Sequence, residues 1–197
     1  IFLPTWCDSH THIVYAGNRE DEFVDRIRGL SYEQIAQKGG GILNSAKKLQ
    51  NATEEELFDQ AAARIKEIMQ QGTGAVEIKS GYGLTVDSEI KMLKVIKKLS
   101  QHFPITVKAT FLGAHAFPSN YKNDPQAYID LICTAMLPAI AEEKLATYID
   151  VFCETGYFSV DQTNQNIREG KKYRLVPKIH VNEFNSIGGV EDKIKNH

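Results

Sequence analysis

At 197 residues, with 42% hydrophobic and 24% charged side chains and a net charge of −2, the chain has the makeup of one globular domain. Both signs of charge are interspersed, which excludes the basic surface of a nucleic-acid binder, and no apolar stretch approaches the roughly 20 residues that span a bilayer. Cys7, Cys133 and Cys153 are odd in number and widely spaced, and Ile1-Phe2-Leu3 lacks the basic opening of a signal peptide, so free thiols in a reducing cytoplasm are expected.

The apolar run Ile1-Phe2-Leu3-Pro4-Thr5-Trp6-Cys7 reads as a strand over 2–7 that leads into Asp8-Ser9-His10-Thr11-His12. Residues two apart on an extended segment share a face, so the imidazoles of His10 and His12 project together. Two neutral ring nitrogens on one face are half of a site suited to zinc, iron or nickel. Residues 21–50 read as a long insertion with its own short helices, broken at Gly39-Gly40-Gly41. Thr53-Glu54-Glu55-Glu56 is a capping-box signature, and it opens a helix through Leu57, Ala61, Ile65 and Ile68 to Gly72. A second strand is predicted over 74–79, and a helix follows with Ile90, Leu93, Ile96 and Leu99 on one stripe. Further strands are predicted over 105–112, 148–153 and 175–181. Between them lie a helix from Pro125 through Tyr128, Ile132, Met136 and Ile140, and another from Ser159 to Lys172. The chain opens inside a strand and stops at Lys193-Ile194-Lys195-Asn196-His197, partway through a helix, so it is expected to be a piece of a larger protein.

Nearly apolar strands alternating with helices predict a parallel sheet covered on both faces. An open doubly wound sheet and part of a barrel both satisfy that pattern. No G-x-G-x-x-G follows the first strand, which removes the main dinucleotide-binding cue. Polar groups instead gather where strands end: His10 and His12, Lys79 with Tyr82, His115, Glu154, and His180 with Glu183. Barrels carry their chemistry there. The predicted fold class is therefore α/β, a partial (βα)8 TIM-like barrel of about the first five βα units, forming one partial catalytic domain over 1–197.

His180 ends the fifth predicted strand and could complete a three-histidine set with His10 and His12, because barrel strand ends converge on a common centre. A metal so held would make hydroxide available near neutral pH. His115, in Phe111-Leu112-Gly113-Ala114-His115-Ala116, reads either as a turn residue or as a donor that polarises a carbonyl. Tyr82, in Ser80-Gly81-Tyr82-Gly83-Leu84, either packs or donates its phenol to a substrate. Arg19, just past the histidine pair, reads as a solvated loop charge or as a bidentate partner for a substrate carboxylate. Glu183, three residues beyond His180, reads as a surface acid or as a proton carrier. Lysine is absent from the end of the fourth strand (Val151-Phe152-Cys153-Glu154), so a carboxylated-lysine bridge between two ions has no support and one ion is expected.

Taken together, Asp8-Ser9-His10-Thr11-His12, Gly17-Asn18-Arg19-Glu20-Asp21-Glu22-Phe23, Gly39-Gly40-Gly41-Ile42, Val76-Glu77-Ile78-Lys79-Ser80-Gly81-Tyr82-Gly83-Leu84, Thr110-Phe111-Leu112-Gly113-Ala114-His115-Ala116 and Lys178-Ile179-His180-Val181-Asn182-Glu183 closely resemble the imidazolonepropionases. These are members of the metal-dependent amidohydrolase superfamily, and the likeness runs in order over essentially the whole chain. It implies hydrolysis of 4-imidazolone-5-propanoate to N-formimidoyl-L-glutamate, a step of histidine degradation. It also implies that His10, His12 and His180 hold zinc or iron and that Arg19 grips the propionate. Tyr82, His115 and Glu183 would contact the ring, with His115 and Glu183 as the catalytic pair. A small-molecule substrate, neither nucleic acid nor membrane as partner, and a homodimer agree with it. The family also needs a metal-binding Asp on an eighth strand and a small β-sandwich domain, and this chain carries neither. The isolated chain is accordingly expected to bind metal weakly, to associate through exposed sheet edges and to turn over little. A non-catalytic fragment, and a related deaminase acting on another cyclic substrate, are the competing readings.

Overall fold

The computed structural model of the chain describes residues 3–31, 34–35, 38 and 40–191. Its first strand, β1, runs Trp6–Thr11, four residues later than the predicted 2–7. Pro4 has no N–H to give a ladder, residues 3–5 lie outside regular structure, and Ile1 and Phe2 fall outside the described residues. The shift places His10 inside the strand and His12 just past its end.

β1 pairs in parallel with β2 (Thr73–Lys79), β2 with β3 (Thr106–Ala114), and β3 with β4 (Tyr148–Cys153). The predicted fifth strand over 175–181 is found as two short segments, β5 (Val176–Pro177) and β6 (His180–Val181), both on β4. They share one register: Ile149 stands opposite Pro177, and Phe152 opposite His180. Between the segments the Lys178 N–H still reaches the Ile149 carbonyl at 2.8 Å, so they are one strand with an interrupted ladder.

The sheet order is the chain order, β1-β2-β3-β4-β5 with β6 also on β4. A parallel sheet that adds each new strand beside the last curls as part of a barrel, as the fold class predicted.

The crossovers are helical. The insertion carries α1 (Glu20–Ile27) and α2 (Ile42–Asn51). Gly39 and the predicted helix over 193–197 lie outside the described residues. α3 (Glu54–Gln70) starts at a capping box in which Thr53 and Glu56 satisfy each other's backbone N–H groups. α4 (Val86–His102) is capped by Thr85. The helix predicted from Pro125 comprises α5 (Pro125–Leu131), a π turn over Ile132–Met136, and α6 (Leu137–Glu142). Pro138 has no N–H for the carbonyl of Thr134, and the helix widens just before it. α7 (Val160–Lys172) opens on a second capping box, Ser159 with Gln162. Among the described residues no helix is long and apolar enough to cross a membrane.

Strand alternation divides the residues between two faces. Val76, Ile78, Phe111, Ile149 and Val151 are buried in the apolar core with Leu57, Ile65, Met92, Ile96, Met136, Ile140 and Ile167 from the helices. Glu77, Lys79, Thr110, Asp150 and His180 belong to the opposite face, the concave side of the curl. Glu77, Lys79, Thr110 and Asp150 are nonetheless buried.

Candidate active site

Three histidines reach the site by way of two bulges. Between Asp8 and Thr11, β1 advances three residues while β2 advances two, from Val76 to Ile78. Between Phe111 and Ala114, β3 advances three while β4 advances two, from Ile149 to Val151. A bulge of this kind twists the strand and re-aims the side chains beyond it, here His10 with His12 and His115. The second bulge is buttressed: the Leu112 N–H donates to Ser80 Oγ at 3.0 Å, and the Tyr128 hydroxyl donates to the Gly113 carbonyl at 2.9 Å.

His10 and His12 have ring centroids 5.6 Å apart, and β6 brings His180 to 4.5 Å from His10. His10 Nε2 and His180 Nε2 face each other at 3.0 Å. One ring nitrogen from each of the three lies within 4.8 Å of the other two, and among the described residues no other His, Cys, Asp and Glu side chains converge in this way. Ligand nitrogens about 2.0–2.1 Å from a tetrahedral ion sit about 3.3 Å apart, so this spacing can accept one. His12 Nδ1 is buried with no hydrogen-bond partner. Burial, reinforced by His115, His180, His10 and Lys79, pushes His12 down to about 2, and burial with His180 and Lys79 lowers His10. Both rings are thus held neutral, the form in which imidazole ligates. The donor set fits a transition-metal ion of the kind that imidazole ligates.

Beside the histidines lies a cavity of about 440 Å3 lined by Arg19, Arg26, Ile42, Tyr82, His115, Phe152, Tyr157, His180, Glu183 and Phe184. Arg19 and Tyr82 also line an adjoining recess with His12, while His180 and Glu183 line another with His10, Lys79 and Asp150. The seven candidate site residues of the sequence are therefore divided among three cavities that share lining residues. His115 stacks on His12 with centroids 5.2 Å apart, and Tyr82 lies 5.4 Å from each of those rings. His115 Nδ1 is 3.0 Å from the Gly81 carbonyl. A carbonyl only accepts, so Nδ1 carries the hydrogen and the neutral ring presents Nε2 as an acceptor. Burial, outweighing the Gly81 bond, pushes His115 down to about 4.

The residues that hold this arrangement are carboxylates, and of these the sequence marked only Glu154, as a polar group at a strand end. Glu22 accepts from Arg19 Nε at 2.6 Å and from the Gly41 N–H at 3.1 Å. Glu89, fully buried, accepts from the N–H groups of Gly81, Gly83 and Leu84 at 3.0, 2.7 and 3.0 Å and so shapes the loop that carries Tyr82. Glu154 at the end of β4 accepts from the N–H groups of Glu183, Phe184 and Asn185 at 3.1, 3.0 and 3.2 Å. Asp150 accepts from His180 Nδ1 at 2.9 Å and from Lys79 Nζ at 2.7 Å. Lys79 also reaches Glu77 at 2.9 Å, and Glu77 pairs with Lys178 at 2.8 Å and with the Thr110 hydroxyl. One signal for this cluster was present: Glu77 and Lys79, and Lys178 and His180, repeat at intervals of two within their strands.

No protein-family model matches the chain. It is 69% identical to the imidazolonepropionase of Flavobacterium psychrophilum over 195 residues, 99% of this chain and 47% of that protein. The imidazolonepropionase of Flavobacterium johnsoniae is 64% identical over the same shares, and that of Shouchella clausii is 45% identical over 97% of this chain and 43% of its own. Among solved structures, a 5-methylcytosine deaminase from Klebsiella pneumoniae superposes with a TM-score of 0.62 at 15% identity, over 90% of this chain and 39% of that one. An adenine deaminase from Arthrobacter aurescens gives 0.57 at 15% identity, over 98% and 62%. At such low identity these two share the fold. The chain spans about half the length of the curated relatives it matches, and over that stretch it is similar throughout to imidazolonepropionases.

Proposed function

We propose that this chain supplies the metal-binding and much of the substrate-binding side of a hydrolase that opens the ring of 4-imidazolone-5-propanoate to give N-formimidoyl-L-glutamate. The observation that carries this reading is the approach of ring nitrogens from His10, His12 and His180 to within 4.8 Å of one another, beside a cavity bordered by Arg19, Tyr82, His115 and Glu183. Its volume of about 440 Å3 lies within the range of small-molecule pockets.

His10, His12 and His180 would hold one zinc or iron ion. When bound, that ion supplies Lewis acidity and makes water acidic enough to ionise near neutral pH. Arg19 binds the propionate: a guanidinium carries five N–H donors in a plane, and Glu22 fixes that plane through Nε and Nη2. Tyr82, carried on the loop that Glu89 holds, offers its hydroxyl to the ring. His115 takes a different part from the expected one. With Nδ1–H committed to Gly81, neutral Nε2 accepts a proton from the attacking water rather than donating to the carbonyl oxygen. Glu183 delivers a proton to the ring nitrogen as the C–N bond breaks. In the same reading the protein works on a small molecule in the cytoplasm, where its three free cysteines stay reduced, and assembles as a homodimer.

The test is made on the complete gene product that carries this chain. Hydrolysis of imidazolonepropionate with about one zinc or iron per chain is expected, and His10→Ala should lose that metal by elemental analysis. Arg19→Ala should raise KM with kcat largely retained. Full metal occupancy in the His10 variant, or no ring opening by the unaltered protein, overturns the reading.

A further inference from the structure

The charged layer beneath the three histidines does more than fill space. Asp150 lies on β4, one strand from the β6 histidine, and is 1% exposed, as is Lys79. Each neighbour of its carboxylate is a donor. The Val151 N–H reaches Oδ1 at 2.8 Å, while Lys79 Nζ at 2.7 Å and His180 Nδ1 at 2.9 Å converge on Oδ2. An ionised carboxylate only accepts, so His180 carries its hydrogen on Nδ1 and turns the lone pair of Nε2 toward His10 Nε2, 3.0 Å away.

Asp150 is itself fixed. Lys79 is anchored on its other side by Glu77, and Glu77 is clasped by Lys178 and Thr110. Two acids and two lysines balance in charge, so the layer supports a full negative charge at Asp150 without a net buried charge. A purely structural ion pair between Lys79 and Asp150 would not require a second donor on the same oxygen, and that donor is the one strand-5 ring of the candidate metal centre.

We propose that Asp150, locked by Lys79, is the positioning residue that sets the tautomer and direction of His180, so that Nε2 is presented as a ligand. The proposal rests on the metal reading above and extends it one shell outward. Outer carboxylates on ligating histidines generally fix ring orientation and raise ligand basicity, and their loss costs about 10- to 100-fold in metal affinity. Asparagine at 150 cannot substitute. Either orientation of its amide turns an NH2 toward a donor, the Val151 N–H in one and Lys79 with His180 in the other.

The experiment measures zinc affinity by competition with a chromogenic chelator, on the complete gene product, for the unaltered protein, Asp150→Asn, His180→Ala and the double variant. Circular dichroism checks that each is folded. Asp150→Asn is expected to weaken zinc binding about 10- to 100-fold and to add nothing further in the His180→Ala background. In the zinc-free unaltered protein, nitrogen NMR of the His180 ring should show hydrogen on Nδ1. This measurement decides the matter should Asp150→Asn fail to fold. An Nε2-protonated ring, or unchanged affinity in folded Asp150→Asn, overturns the proposal alone. Absence of zinc binding in the unaltered protein overturns the metal reading, and this proposal with it.

Discussion

His115 donates its Nδ1–H to the carbonyl of Gly81 at 3.0 Å, which ties the end of β3 to the loop after β2. Gly81 has φ +113°, and a Cβ there would stand 2.9 Å from both His115 Nδ1 and the Leu112 carbonyl oxygen. Gly81→Ala therefore strains the backbone, at about 1–3 kcal/mol, and displaces the imidazole it holds. Reduced kcat for ring opening should accompany a lowered thermal midpoint. Normal kcat in a destabilised Gly81→Ala protein would show that the Gly81 contact does not place His115.

Glu89 does for Tyr82 what Gly81 does for His115. Its two oxygens accept from the N–H groups of Gly81, Gly83 and Leu84, and Leu84 sits at φ +57° because the loop closes around them. In Glu89→Gln one acceptor becomes an NH2 facing a backbone N–H, an unmade buried bond worth about 1–3 kcal/mol. Denaturant unfolding should register that loss. KM should rise through the displaced phenol of Tyr82, and an unaltered KM would separate the Glu89 loop from substrate binding.

Glu22 gives a pH dependence of definite sign. Burial pushes its carboxyl up, but the hydrogen bond from Arg19, the Gly41 N–H and the Arg19 charge together bring it below its ordinary 4.5. A carboxyl depressed by folding contributes stability that is complete above its unfolded value and is lost as pH falls through the folded one. Arg19 is half-exposed, so the pair is worth no more than about 1 kcal/mol. From pH 5.5 down to 3, the thermal midpoint of Glu22→Gln should fall less than that of the unaltered protein. Parallel declines would deny Glu22 its ionised pairing with Arg19.

The barrel was legible because strand and helix periods differ, and because β2 and β4 carry Val76, Ile78, Ile149 and Val151 as an apolar row that must be covered. The histidines were legible because they are rare and sit where such strands end. The approach of His10, His12 and His180 was expected from the two-residue spacing and the convergence of strand ends, but the bulges at Ser9-His10 and Leu112-Gly113 that aim the rings were not, because no local pattern announces them. The late start of β1 was signalled by Pro4 and overridden by the apolar run around it. Asp150 and Glu77 were missed for a different reason, and Lys79 was marked as a strand-end group but given no partner. Charged residues inside a strand are ordinarily assigned to solvent, and only the closure of the sheet, which brings Lys79 within 2.7 Å of Asp150 across β3, turns them into one another's solvent.

The covering of that apolar row has its own test at Gly170. This glycine lies inside α7, and a Cβ there would stand 2.6 Å from Ile149 Cδ1 and 3.0 Å from Ile149 Cγ2. Two effects compete in Gly170→Ala. Alanine favours a helix interior by about 1 kcal/mol, whereas overpacking a filled core costs about 1–3 kcal/mol. Ile149 is fully buried and branched at Cβ, so the methyl at 3.0 Å cannot swing away and overpacking wins. Ile149→Val removes the closer atom. It should cost about 0.5–1.5 kcal/mol alone yet recover much of the loss when combined with Gly170→Ala. The double variant should therefore be more stable than the sum of the two single changes, as read from denaturant midpoints. Simple additivity would mean that α7 shifts as a body to admit the methyl, and that the close seat of Gly170 on β4 does not set the helix-to-sheet distance.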